Sequence, residues 1–147
     1  MKKILIVTVI ILLLTACGGT MNTEIPKGYT SKTEYYGKEG IQDHTDYAKY
    51  VYDKVIVEND DNYTKVNEND IENIKSYFND FKDVMESLER LNEYDFDINS
   101  ITENDYVRIV TKEGTPIGDS IYGRFDNYSV FLFDSETLTL YYIHNNI

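Results

Sequence analysis

The chain has 147 residues, with 26 acidic against 14 basic side chains and a formal net charge of −12. That length suits one domain of ordinary size, and that charge excludes a surface built for nucleic acid, which needs a basic face. A single cysteine allows no intramolecular disulfide, so the domain must be held by a packed core.

Met1-Lys2-Lys3 is a short cationic start that runs into Ile4 to Leu14, a stretch with no charge and one hydroxyl. The run is far shorter than the roughly 20 apolar residues of a bilayer-spanning helix. Charge, apolar run and small residues, in that order, describe an export signal that is later removed. The next residues, Leu14-Thr15-Ala16-Cys17 followed by Gly18-Gly19, resemble the lipobox of bacterial lipoproteins. The resemblance implies that the Cys17 thiol receives a diacylglycerol through a thioether bond and becomes the mature N-terminus. Two acyl chains anchor a protein stably where one does so only marginally. A location on the extracytoplasmic face of the cell membrane is the expectation. Loss of residues 1–16 removes two lysines and no acid, so anionic lipid heads repel the remainder. The lipid rather than the protein surface must then do the anchoring.

Residues 17–40 read as the lipidated N-terminus and a flexible tether. They are polar, with Pro26, Gly28, Gly37 and Gly40 and no sustained apolar period, save a short extended piece around Tyr35-Tyr36. Residues 41–147 read as a single α+β domain. From Asp43 to Val55, the residues Tyr47, Ala48, Val51, Tyr52 and Val55 fall at three- and four-residue steps, which predicts an amphipathic helix. An acidic loop, Glu58 to Tyr63, follows. Ile71, Ile74, Phe78, Phe81, Met85 and Leu88 then repeat the same steps and predict a second helix from about Glu68 to Leu91. Asn67, with Asp70 three residues on, is a weaker version of a capping box at its start. A helix laid across a sheet fits this run better than a coiled coil, which needs more heptads.

Beyond Asp95 the period changes to alternation. Asp105–Lys112, Ser120–Asp126, Tyr128–Asp134 and Leu138–His144 read as four strands joined by turn-forming residues. Short connections force antiparallel neighbours. The expected fold is thus two helices followed by a four-stranded antiparallel meander sheet. That order is similar to the helix–helix–sheet topology of small inhibitor and envelope-assembly lipoprotein domains. The mature sequence also looks like small lipoproteins of Gram-positive bacteria, a resemblance that implies no chemistry.

Chemistry-bearing motifs are sparse. There is no Gly-x-Ser-x-Gly elbow, and His44 and His144 stand at opposite ends of the domain's sequence. Asp43, His44 and Asp46 lack the spacing of a zinc site and read as acids in a helix's first turn. Asp95, Asp97 and Asn99 open like a calcium-binding EF-hand loop. Ser100 then replaces the turn glycine and Tyr106 the bidentate glutamate. Calcium from outside the cell is the one cofactor this segment suggests, and the loop Glu58 to Asn62 has a similar standing. The last two strands are apolar on both faces, through Tyr128, Phe131, Phe133, Tyr141 and Tyr142 among others. With helices on one face, the other is either an aromatic binding surface or is covered by the N-terminal helix or tether. Two functions stay open: a non-enzymatic domain binding a protein or envelope component, and a small envelope hydrolase using dispersed Asp, Glu and His side chains.

Overall fold

The computed structural model describes residues 25–37, 43–111 and 127–146. Six antiparallel strands form one sheet: β1 (Ser31–Tyr36), β2 (His44–Val51), β3 (Thr64–Lys65), β4 (Tyr106–Thr111), β5 (Asn127–Asp134) and β6 (Thr139–Asn146). Their spatial order is β1-β2-β6-β5-β4-β3. One α-helix, α1 (Ile71–Ser87), is present among the described residues. This overturns the expected order of two helices and a four-stranded meander, and with it the likeness to helix–helix–sheet lipoprotein domains.

The decisive difference is β2. The segment expected as a first helix is instead a strand inside the sheet, paired with β1 on one side and with β6 on the other. Its three- and four-residue spacing arises because both faces of the strand are covered. Thr45, Asp46, Tyr47 and Ala48 are buried in succession, which erases the alternation of a half-exposed strand. Tyr47, Tyr50, Thr45 and Val51 favour extended backbone, and an isolated helix of this length is marginal in water. The extended piece expected around Tyr35-Tyr36 is the end of β1, so the sheet begins at Ser31.

The predicted strand Ser120–Asp126 lies outside the described residues, and β4 pairs directly with β5. β5 and β6 are joined through Ser135–Leu138. Asp134 Oδ1 accepts from the main-chain N–H groups of Glu136 (2.9 Å) and Thr137 (3.0 Å), closing the turn. Leu138 completes it in the left-handed region at φ 54°.

Helix α1 follows its apolar period closely. Ile74, Tyr77, Phe78, Phe81 and Met85 are buried against a row of sheet residues, Tyr47, Ile143, Val130 and Ile109, that are register partners across four strands. At its start, Asn67 Oδ1 accepts from Asn69 N–H (2.9 Å) and caps a 3-10 turn, Glu68–Asp70, while Asp70 makes no reciprocal side-chain bond. The helix ends short of the expected Leu91. Glu89 turns left-handed at φ 59°, and Arg90 N–H returns to the Met85 carbonyl at 2.8 Å. That closure normally uses glycine, so no breaker announced it. Leu91 therefore sits outside α1 and is 37% exposed.

The opposite face of the sheet carries a second core of Ala48, Tyr50, Phe131, Phe133, Leu140 and Tyr142, together with Tyr52, Val57 and Tyr63 from the segment between β2 and β3. Among the described residues the sheet is thus covered on both sides, with an α-helix on one of them.

Candidate functional site

Cys17, the lipidation candidate, lies outside the described residues. The five aromatic residues offered as a binding surface are core or near-core. Tyr128, Phe131, Phe133 and Tyr142 are buried, and Tyr141 is half-buried. They also divide between the faces. Tyr128 lies under α1, donating its hydroxyl to Asp80 Oδ2 (2.8 Å) and standing edge-on to Tyr77. Phe131 and Tyr142 contact each other on the far face, where the Arg108 guanidinium lies 5.0 Å from the Phe131 ring. Among the described residues no open aromatic sheet face remains around them. The two alternatives had turned on what covers this face, and a loop after β2 does much of it, which no periodicity could reveal. Burial above all, then the Asp80 carboxylate, pushes the Tyr128 hydroxyl well above the ordinary tyrosine pKa. It is a fixed donor at every physiological pH.

Three places have enough polar character to be functional. The first is a row across the far face, where β2, β6 and β5 bring Asp46, His144 and Ser129 into register. Residues far apart in the sequence thus become neighbours, and His44 stands two pairs further along β2, opposite Asn146. His144 Nδ1 is 2.9 Å from Ser129 Oγ and 3.0 Å from the Tyr128 carbonyl oxygen. A proton on Nδ1 makes the second contact a hydrogen bond; without it, two lone pairs would oppose each other. With that proton in place Nδ1 cannot accept the serine's, so Ser129 gains no general base there. Asp46, itself buried, accepts from the Gly37 N–H at 3.2 Å. The row resembles a triad in composition and acts as a hydrogen-bonded tie between strands.

The second place is an open recess of about 490 Å³ beside the C-terminal end of α1. Lys82 and Asn79 come from the helix, Leu91 from the turn after it, and Asp95, Phe96 and Asp97 from the segment that leads toward β4. The calcium candidates are gathered here, but each carboxylate already has a task. Asp95 Oδ1 accepts from the Tyr47 hydroxyl (2.6 Å), and its Oδ2 is bridged to Lys49. Asp97 Oδ1 accepts from Asn99 N–H at 2.9 Å and from its side-chain amide at 3.1 Å, capping the 3-10 turn Ile98–Ser100. In the loop Glu58 to Asn62, Asp60 is likewise committed to Asn62. Among the described residues no three His, Cys, Asp or Glu side chains are grouped to hold a metal ion.

Partial burial alone would raise the Asp95 carboxyl. The hydrogen bonds from Lys49 and Tyr47 outweigh it and hold the pKa below its ordinary value. The folded state therefore binds this proton less readily than the unfolded chain. The stabilisation is complete above the unfolded pKa and disappears as pH falls through the lowered folded one. Asp95 is well exposed, so screening keeps its worth below about 1 kcal/mol. Thermal melts of the parent and Asp95→Asn proteins should differ at neutral pH and converge as the pH drops below the ordinary carboxylate range. A constant difference down to the lowest pH would show that the charge contributes nothing.

The third place is the outer edge of β1, where Lys32 and Glu34 form an ion pair at 2.7 Å and the Tyr50 hydroxyl donates to Glu34 at 2.7 Å. Sequence reading passed over both residues because they fell in the presumed tether. Only the pairing of Ser31–Tyr36 with β2 gives them a defined orientation.

No protein-family model, curated protein or solved structure matches this chain. No helix among the described residues is long and apolar enough to cross a membrane.

Proposed function

We infer that this chain is a lipid-anchored cell-envelope lipoprotein, held by acyl chains on Cys17 at the extracytoplasmic face of the membrane, whose domain binds a protein or envelope component. The observation that carries the reading is the order Lys2-Lys3, apolar run, Leu14-Thr15-Ala16-Cys17. A cysteine at the cleavage point of an export signal supports the reading of Cys17 as the lipid acceptor. The position of Ile25, the first described residue, supports it. About eight residues separate Ile25 from Cys17, a span on the order of 28 Å when fully extended. The domain would sit against the membrane surface.

Binding is favoured over hydrolysis by two features. Among the described residues the recess beside Leu91 is lined by no histidine, and where Asp46, His144 and Ser129 align the imidazole Nδ1 is turned to a main-chain carbonyl. An apolar mouth with a few polar groups and no activated nucleophile is the composition of a docking surface.

In producing cells the Cys17→Ser protein should leave the membrane fraction for the medium and lose incorporation of labelled fatty acid. Retention of either property would overturn the anchor. Affinity capture from native membranes, with the Cys17→Ser protein as the control, should then recover a partner with the lipidated form alone.

A further inference from the structure

Among the described residues, β1 is the outermost strand of the sheet, and most of its residues are exposed. Gly37 N–H donates to the Thr45 carbonyl at 3.0 Å, and the register pairs Gly37's neighbours in step with that bond. In an antiparallel pair the main-chain groups of alternate residues face the partner. The odd-numbered members of β1 therefore face β2. Lys32, Glu34 and Tyr36 turn their N–H and C=O groups outward. An unpaired edge of this kind is a template for another strand.

The geometry points to a second copy of this chain as that strand: two β1 edges pair antiparallel about a two-fold axis at Thr33, with Lys32 of each copy opposite Glu34 of the other. Three observations favour this occupant and this register. In it, the outward-facing residues of one strand meet those of the other, as hydrogen-bonded pairs require. The charges are self-complementary in this register alone. A shift of one pair either way sets Lys32 against Lys32 or Glu34 against Glu34, and like charges directly opposite are unfavourable. The third is the path of the chain before β1. Ile25 packs into the core of the far face, Pro26 O accepts from the Tyr52 hydroxyl at 2.7 Å, and the Tyr29 ring lies 5.2 Å from that of Tyr50. The N-terminal segment thus leaves from the face opposite α1. A two-fold axis perpendicular to the sheet brings both segments out on the same side, so both copies could be anchored in one membrane.

Such a contact is isologous and closes on itself. A single pair of strand edges buries less than the roughly 1,200–2,000 Å² of a stable free interface. Confinement to a membrane supplies the missing effective concentration. The pairing does not need the anchor to be a lipid, only that the copies share a surface.

Disulfide trapping of the full chain in its own membranes tests the register. In the proposed dimer the two Thr33 residues are a non-hydrogen-bonded pair with Cα atoms about 4.5 Å apart, within reach of a disulfide. The two Ser31 residues are about 13 Å apart, beyond it. Thr33→Cys should give cross-linked dimer about tenfold above Ser31→Cys. The parent chain reports any cross-link made through Cys17 itself, so failure of lipidation registers there and not at Thr33. On the Thr33→Cys background, Lys32→Glu and Glu34→Lys should each weaken the cross-link about tenfold when alone. Produced together with distinguishable tags, they should restore a mixed dimer, because an edge carrying two carboxylates then meets an edge carrying two ammonium groups. Each chain's internal repulsion is unchanged in the mixture, so recovery reports only contact between chains. Equal cross-linking at Thr33 and Ser31, or no recovery in the mixture, overturns the proposal.

Discussion

Phe81→Ala should cost about 3–5 kcal/mol of folding stability, the range for emptying a buried phenylalanine site. The ring is fully buried between Tyr47 of β2 and Tyr94, with centroid separations of 6.4 and 5.7 Å. Neither neighbour can collapse into the space without giving something up. Tyr47 is held by its hydroxyl on Asp95 and Tyr94 by its hydroxyl on the Phe78 carbonyl, so the cavity term should approach its full value. Against a total of about 5–15 kcal/mol for a domain of this kind, the loss is a large fraction. In urea the midpoint should fall by about 2 M with the slope unchanged. A fall under about 0.5 M would mean that the helix and β2 are less tightly joined than their contacts indicate. The consequence reaches the recess, because Tyr94 and Asp95 hang from this packing.

Asp105→Ala should cost about 3 kcal/mol, a polar loss of nearly the same size. The residue is 2% exposed. Its Oδ2 accepts from the Thr102 N–H (2.7 Å) and hydroxyl (3.2 Å), and its Oδ1 from the Ser135 N–H (2.9 Å). One carboxylate thus ties the turn before β4 to the turn between β5 and β6. The Asp105 carbonyl also accepts from Val66 N–H at 2.9 Å, which brings the chain after β3 to the same point. Removing the carboxylate leaves buried donors without an acceptor, the costlier half of a lost hydrogen bond. Asp105→Asn, with one acceptor oxygen kept, should lose less than half as much. Equal losses for the two variants would show that shape rather than acceptance matters at this position. Urea unfolding of both proteins separates the cases.

The legible parts of the fold were those with a sustained period or with turn signals at their ends. The apolar stripe of α1 repeats for four turns because solvent touches its other side, and its extent was wrong only where Glu89 supplies a left-handed closure without glycine. β4, β5 and β6 were readable from strand-forming residues separated by turn signals. β2 was misread because Thr45, Asp46, Tyr47 and Ala48 are buried in succession, so the alternation that separates strand from helix was missing and its apolar residues fell at helical steps. The coverage of the far face depended on Val57 and Tyr63, residues of a loop without period. For the candidate sites, the segment around Asp95 stood out through its carboxylates, and it does line the recess. Tyr47 and Lys49, the partners of Asp95, fall in the segment expected as a helix and could not be connected to that carboxylate. Lys32 and Glu34 carried no signal at all, because an edge is defined only by what lies beside it.

The pairing of β2 with β6 has a consequence for the order of events in the life of the chain. Thr45 Oγ1 donates to Asn145 Oδ1, one hundred residues further on, and these two strands lie side by side in the middle of the sheet. Contacts so distant in sequence make folding slow relative to that of helical domains. They also set an order: until β6 is in place, the hairpin of β1 and β2 has no strand beside it to pair with. A sheet built this way closes in one step, when β6 enters between β2 and β5 and joins its two halves.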